Sequence, residues 1–329
     1  MVVRIFKALL ILVLFAFGAN ATKMGTIRSG GDSAHVAKVE ADSALSVSLD
    51  SADTINVLVV DSLVVKQALN DTLNVNGMNT PLRLAQGLVS GHSFVHKFGN
   101  APDFDAADGT VTVWDGADDA HVDAMAYVYS TTADINRVSS SAADSFSLEI
   151  QGLGADTLAL VDTVTVAGQA KVTISPAFFR VFRMRNINSV DNVGHVYAYA
   201  DCAISSGVPA QTDSVRAVVQ PGNNQTLMSI YTVPVNKTAY MPSWYAATAG
   251  ANRSSNYVIE LRARQRQGVF QLKHVTALGD AGTSSYQHKY EVPEMFNSGV
   301  DIEMRANMQT GGGTAASVST GFDLILIDN

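Results

Sequence analysis

Apolar residues in this chain alternate with Ser, Thr, Asn and Asp over short runs, and Gly, Asn or Asp closes most of them. A period of two puts successive side chains on opposite faces of a strand, whereas a helix needs a period near 3.6. Helical periodicity is almost missing. Only residues 81–89 (PLRLAQGLV) read as a helical turn, and Gly87 weakens it. The pattern therefore predicts an all-β chain. Its 329 residues are enough for two cores of ordinary size, and 47% hydrophobic against 16% charged residues is a globular composition.

Four regions follow along the chain. In residues 1–21, Arg4 and Lys7 precede an apolar run over 8–17 and then Ala19-Asn20-Ala21. That is a signal-peptide-like segment, with export and cleavage after Ala21 as one reading and a true start at Met24 as the other. Residues 24–90 form a repetitive β-rich arm. Asp42-Ser43, Asp53-Thr54, Asp61-Ser62 and Asp71-Thr72 each open a short alternating stretch there. Such units bury little alone and suit either a shaft completed by neighbouring chains or a small meander. Residues 91–205 read as a β-sandwich domain, with strands expected at 110–114, 124–129, 145–151, 156–167, 170–174, 178–185 and 195–200. Residues 206–214 (SGVPAQTDS) read as a linker. Residues 215–329 then offer eight strands, at 215–219, 226–233, 238–247, 257–264, 269–274, 284–292, 300–306 and 317–327, which fit a jelly-roll-like domain. The last of these is apolar enough to lie centrally, which would hold the chain terminus in a sheet.

The chemistry on offer is sparse. A net charge of −8 without basic clusters argues against nucleic acid. Arg262, Arg264 and Arg266 alternate as a solvated strand face would. The run at 8–17 is too short to span a bilayer, so no membrane is expected for the mature form. Cys202 is the single cysteine and excludes a disulfide framework. Hard oxygen ligands gather between 103 and 123. Asp103, Asp105 and Asp108 are the calcium candidates, although Asp108 stands where an EF-hand needs Gly and Trp114 where it needs Glu. A turn-forming loop accounts for the same residues. His92 and His96 are set in an alternating stretch and read better as paired surface histidines than as metal ligands. No Gly-x-Ser-x-Gly elbow, P-loop or dinucleotide fingerprint is present, and Glu149, Glu260, Glu291, Glu294 and Glu303 fall mostly at outward strand positions. No catalytic residues are assigned and no enzyme is expected. Tyr240, Trp244 and Tyr245, with Phe178, Phe179 and Phe182, could form a sugar platform or pack inside sheets and interfaces.

The stretches GHSFVHKFGNAPDFD (91–105), VWDGADD (113–119), LEIQGLGADTLALVDTVTVAG (148–168), FFRVFRM (178–184), NNQTLMSIYTVPVNKTAYMPSWYAA (223–247), GVFQLKH (268–274) and GFDLILIDN (321–329) resemble virion structural proteins of tailed bacteriophages, of the marine type. The resemblance covers most of residues 91–329 and implies a capsid-decorating, fibre or tail component in the virion. It assigns no functional residues. The expected partners are copies of the same chain and other structural subunits. Two alternatives stand beside it: a secreted filament or surface-layer subunit, and an adhesin binding a host-surface glycan through exposed aromatics such as Trp244 or Tyr245.

Overall fold

The computed structural model describes residues 25–28, 34–39, 45–47 and 80–329, apart from 118, 120, 123, 251–255, 280–282 and 311–315. Two compact units divide at residues 83 and 84. In the first, strands β1 (Gly25–Arg28), β2 (Ala34–Val39) and β3 (Leu45–Val47) form one antiparallel sheet with β2 in the middle. The signal-like segment and the rest of the expected arm up to residue 79 lie outside the described residues. Helix α1 (Thr80–Ala85) occupies the start of the predicted helical turn. It stops ahead of Gly87, whose φ of +69° suits a residue without Cβ.

The second unit is a jelly roll interrupted by a second sandwich. Its chain order is β4 (His92–Phe104), β5 (Thr110–Thr112), an insert, β15 (Ile230–Thr232), β16 (Lys237–Gly250), β17 (Asn256–Gln265), β18 (Gln271–Gly279), β19 (Thr283–Phe296), β20 (Val300–Thr310) and β21 (Ala316–Asp328). One sheet runs β19-β16-β21-β4. The other runs β15-β20-β17-β18, with β5 also on β20. All of these pairs are antiparallel, and the chain crosses from sheet to sheet in the order that an eight-stranded jelly roll requires.

Eight strands result because β5 and β15 are two halves of one. Thr112 opposes Arg305 and Ile230 opposes Glu303 on β20. Between them Val113 donates to the Met304 carbonyl and Met304 donates to that of Ser229, at 3.0 and 3.1 Å. The chain leaves this strand after Val113 and returns to it at Ser229, so everything over 114–228 is an insertion into a single strand. The boundary expected between 91–205 and 215–329 is therefore crossed by strand pairing. Among the described strands, β4 and β5 pair in ladders only with strands from the C-terminal end, while the strand expected at 215–219 belongs to the insert.

The insert holds β6 (Ile135–Ser140), β7 (Ser147–Leu153), β8 (Ala159–Thr165), β9 (Val172–Phe178), β10 (Arg180–Asn186), β11 (Val196–Ala200), β12 (Ile204–Ser205), β13 (Val208–Pro209) and β14 (Val215–Val219). They form a β10-β7-β8 sheet, a β14-β11-β6-β9 sheet and the small β12-β13 hairpin. The expected linker is thus structured. Ser206 and Gly207, at φ +47° and +78°, make the two-residue hairpin turn that matches strand twist.

Alternation sets the core. On β7, Leu148 and Ile150 are buried while Glu149 and Gln151 are not; on β17, Tyr257, Ile259, Leu261 and Ala263 are buried. Leu261 opposes Met304 and Ile259 opposes Ala306 on β20, both buried, so one face of the ladder is continuously apolar. β21 lies between β16 and β4, which puts the C-terminal strand centrally as its composition predicts.

Insert and jelly roll are joined through buried charge. Arg180 on β10 reaches Asp301 on β20, and Lys97 on β4 donates to the Phe182 carbonyl. Burial, and then the nearby Arg183, pull the Lys97 ammonium down to about 7. Between pH 7 and the ordinary lysine value of 10.5 the unfolded chain binds this proton and the folded chain does not, so stability should rise with pH across that window. Lys97→Met should remove the slope and raise stability at neutral pH by about 1–2 kcal/mol, since an uncompensated buried charge is exchanged for an apolar side chain of similar length. Urea unfolding of both proteins across the window checks it; an equal slope in the variant contradicts the assignment.

Candidate assembly surface

A jelly roll has open sheet edges, and here two of them belong to consecutive strands. β18 bounds one sheet and β19 bounds the other. At about 3.4 Å per residue, the 14 residues of β19 give an edge of about 45 Å. Exposed edges of this length are usually blunted with charge, because their free N–H and C=O groups accept another strand. Here the edge is apolar in part. Leu272 and Val275 on β18 and Val292 and Met295 on β19 are 48–82% exposed, and Val269, ahead of β18, is 86% exposed.

The register explains why Val292 protrudes. Met241 opposes Glu294 and Ser243 opposes Lys289, so residues 290–293 face Pro242 alone. Neither Pro242 nor Pro293 has an N–H to give the ladder, and the surplus chain is pushed outward. Beside this bulge a cleft of about 340 Å³ is lined by Val269, Lys273, Met295, Phe296 and Val300 among others. Lys273 and Glu294, 3.5 Å apart, tie β18 to β19 across the gap between sheets.

Inside the same edge lies a box of rings. Trp244 of β16 contacts His274 of β18 at a centroid distance of 5.0 Å and Tyr286 of β19 at 5.2 Å. His274 and His288 are 4.4 Å apart, as are His288 and Tyr290. His288 Nδ1 is 3.3 Å from the Tyr286 hydroxyl. His274 Nδ1 is buried without a hydrogen-bond partner, and the Trp244 indole N–H faces the Tyr290 hydroxyl. Burial, and secondarily His288, hold the His274 imidazole below its ordinary value, and burial raises the Tyr290 phenol to about 12. With 1% exposure, Trp244 is no platform for sugar, contrary to its expected place in an adhesin. Phe178, Phe179 and Phe182 are buried as well. Tyr245 is half-buried and stacks on His96.

Several other residues singled out in the sequence have structural partners. Asp105 accepts the Ala107 N–H and Asp108 accepts the Asp105 N–H, both at 2.6 Å, so these carboxylates shape a turn. Asp103 falls in β4, its side chain outside the described residues. Farther along, Asp119 is buried, accepts the His121 and Val122 N–H groups, and lies 3.1 Å from His195. Asp115 is buried too, accepting the Leu227 N–H; desolvation drives its carboxyl well above the usual range. Asp105 and Asp108 thus sit in the turn their composition suggests, whereas Asp115 and Asp119 are packed. Among the described residues no three His, Cys, Asp or Glu side chains gather to hold a metal ion. His92 bonds the Ser90 carbonyl and His96 lies 2.7 Å from Asp323. Cys202 is half-buried beside Ser214. Arg262 pairs with Glu260 on its strand face, but Arg264 turns to the buried Asp301.

No family model matches the chain, and no curated protein does. Among solved structures it is similar to the infectious bursal disease virus Gt strain, at 10% identity and a TM-score of 0.21, over 72% of this chain and 73% of that one. It is likewise similar to the VP2 subviral particle of the same virus, at 11% identity and a TM-score of 0.20, over 73% of each chain. Likeness at this level carries no functional argument.

Proposed function

We propose that the chain is a non-enzymatic structural subunit of a virion, a capsid-decorating, fibre or tail component, that assembles with copies of itself along the β18–β19 edge. The observation that carries this reading is the edge itself: two long open strands with Leu272, Val275, Val292 and Met295 turned to solvent. Removing that apolar area from water while completing both ladders is what drives strand-mediated assembly. Both signs of charge line the edge, Lys273 and Lys289 against Glu291 and Glu294, so a second copy of the same surface meets it without net repulsion. Jelly rolls occur in both capsid and lectin domains. The buried Trp244 weighs against the lectin use posed for it, and the resemblance of residues 91–329 to virion proteins supports the capsid-like one.

Val275→Lys with Val292→Lys should abolish association in sedimentation velocity while leaving stability within about 0.5 kcal/mol of the parent, as expected of surface positions. A parent chain that stays monomeric at its highest soluble concentration, or a double variant that associates as well as the parent, removes the edge from the proposal. The secreted-filament alternative rests on the Arg4–Ala21 pattern. Intact mass of the native protein separates the two: a chain starting at Thr22 and found in extracellular filaments replaces the virion reading.

A further inference from the structure

We infer that His274 and His288 form an acid-sensitive latch on the β18–β19 edge, closed while both rings are neutral and opened when both are charged. The inference rests on the reading of that edge as the assembly surface and supplies its regulation.

β18 and β19 belong to different sheets and share no ladder. What joins their inner faces is the ring box, with His274 from one strand and His288 from the other at 4.4 Å. What joins them outside is the Lys273–Glu294 pair. The ionisable groups around the imidazoles are Tyr286 and Tyr290 from β19, with Glu294 beyond Tyr290 and held by Lys273. β16 contributes the uncharged Trp244, and β17 sets Leu261 opposite His274.

Two other histidines make a contrast: His96 and His195 each have an aspartate within 3.1 Å. Among the described residues, no carboxylate lies within ion-pair distance of His274 or His288. One imidazolium can be accommodated against the faces of Trp244 and Tyr286. Two, with ring centroids 4.4 Å apart, repel each other at close range. The relief available is motion of the strands apart, since each ring is carried on an edge with a partner on one side only. The direction of the His274 titration agrees: folding disfavours its charged form, so the folded state loses stability as pH falls below the ordinary histidine value of 6.5.

The test uses the full chain between about pH 7.5 and about pH 5, the range in which histidine charges. Hydrogen-exchange protection in β18 and β19, corrected for intrinsic rates, should fall by about tenfold or more on acidification as the two strands open locally. Self-association should fall with it. His274→Gln and His288→Gln, each leaving one titratable ring, should keep both protection and association over the same range. Loss of protection in the glutamine variants at the parent's pH overturns the latch, as does a parent whose edge protection does not change. Ring-proton titration by NMR needs no variant: two rings that repel each other titrate in separate steps. Superposed single steps overturn the inference. A chain that is monomeric at neutral pH but opens in acid contradicts the assembly reading alone. A chain that assembles and stays assembled in acid contradicts the latch alone.

Discussion

Asp301→Ala should destabilise the second unit by about 3–5 kcal/mol, the cost of stripping the counter-charge from buried cations. Asp301 is fully buried on β20. Its Oδ1 accepts from the Thr232 hydroxyl at 2.6 Å and lies 3.4 Å from Arg180 Nη2, and its Oδ2 accepts from Arg264 Nε at 3.1 Å. Arg180, 2% exposed, spends its remaining donors on the Ser130 and Phe179 carbonyls and on Thr232. Its guanidinium sits 4.0 Å over the Phe179 ring, and that of Arg264 sits 4.3 Å over Phe270. Removing one carboxylate therefore strands two guanidinium groups among aromatic rings. Because Arg180 comes from the insert and Asp301 from the jelly roll, the variant should also split one unfolding transition into two. Asp301→Asn keeps the acceptor geometry in part and should cost less. Glu149→Ala, which breaks an ion pair with the exposed Arg185, should cost under about 1 kcal/mol. Denaturant titrations of the three variants check the order. An alanine variant within 1 kcal/mol of the parent would mean that water reaches Arg180 freely.

That junction shows where reading a sequence stops. Arg264 alternates with Arg262 and Arg266 as any solvated strand face does, and nothing local reveals that one of the three turns to a buried aspartate 37 residues away. The strands themselves were legible where one face is apolar and the other polar: β7, β17, β20 and β21 fall close to their predicted positions. β6, with the sequence INRVSS, is too polar to announce itself and is a strand because β11 and β9 flank it. The stretch 124–129 fails the other way. It alternates but pairs with nothing as a strand, and Tyr127 and Tyr129 serve as packed rings near the junction.

The assembly surface was hidden for a related reason. Alternation marks a strand and its inward face, but whether that strand is central or at an edge depends on partners far away in sequence. β18 and β19 look much like β17 and β20 until pairing leaves them outermost. The ring box left one local trace, Tyr286-x-His288-x-Tyr290, which puts three rings on one face of a strand. Its meeting with His274 and Trp244 depends on sheet-to-sheet packing, which no spacing encodes.

The same dependence on distant partners makes Gly99→Ala a disruptive small change. Gly99 lies in β4 opposite Thr320 of β21. A Cβ there would stand 2.4 Å from the Ser229 nitrogen and 2.4 Å from the Val113 oxygen. Those two atoms are themselves hydrogen-bonded, at 3.0 Å, and close the point where the chain leaves for the insert and returns. They cannot shift easily. On one side both residues bond to Met304 of β20, and on the other the Ser229 hydroxyl donates to the Thr320 carbonyl at 2.6 Å. A methyl group must therefore part the two sheets or break the bond that joins the halves of the interrupted strand. The expected loss is about 3 kcal/mol or more, at or beyond the upper end of ordinary overpacking. Gly87→Ala and Gly109→Ala are the controls. Both glycines have positive φ, but a Cβ would meet nothing within 4 Å, so they should cost only about 1–2 kcal/mol of backbone strain. Thermal unfolding of the three variants separates contact from conformation. If Gly99→Ala unfolds no earlier than the controls, the sheets are not locked at this crossing, and the insert is attached by its buried charges alone.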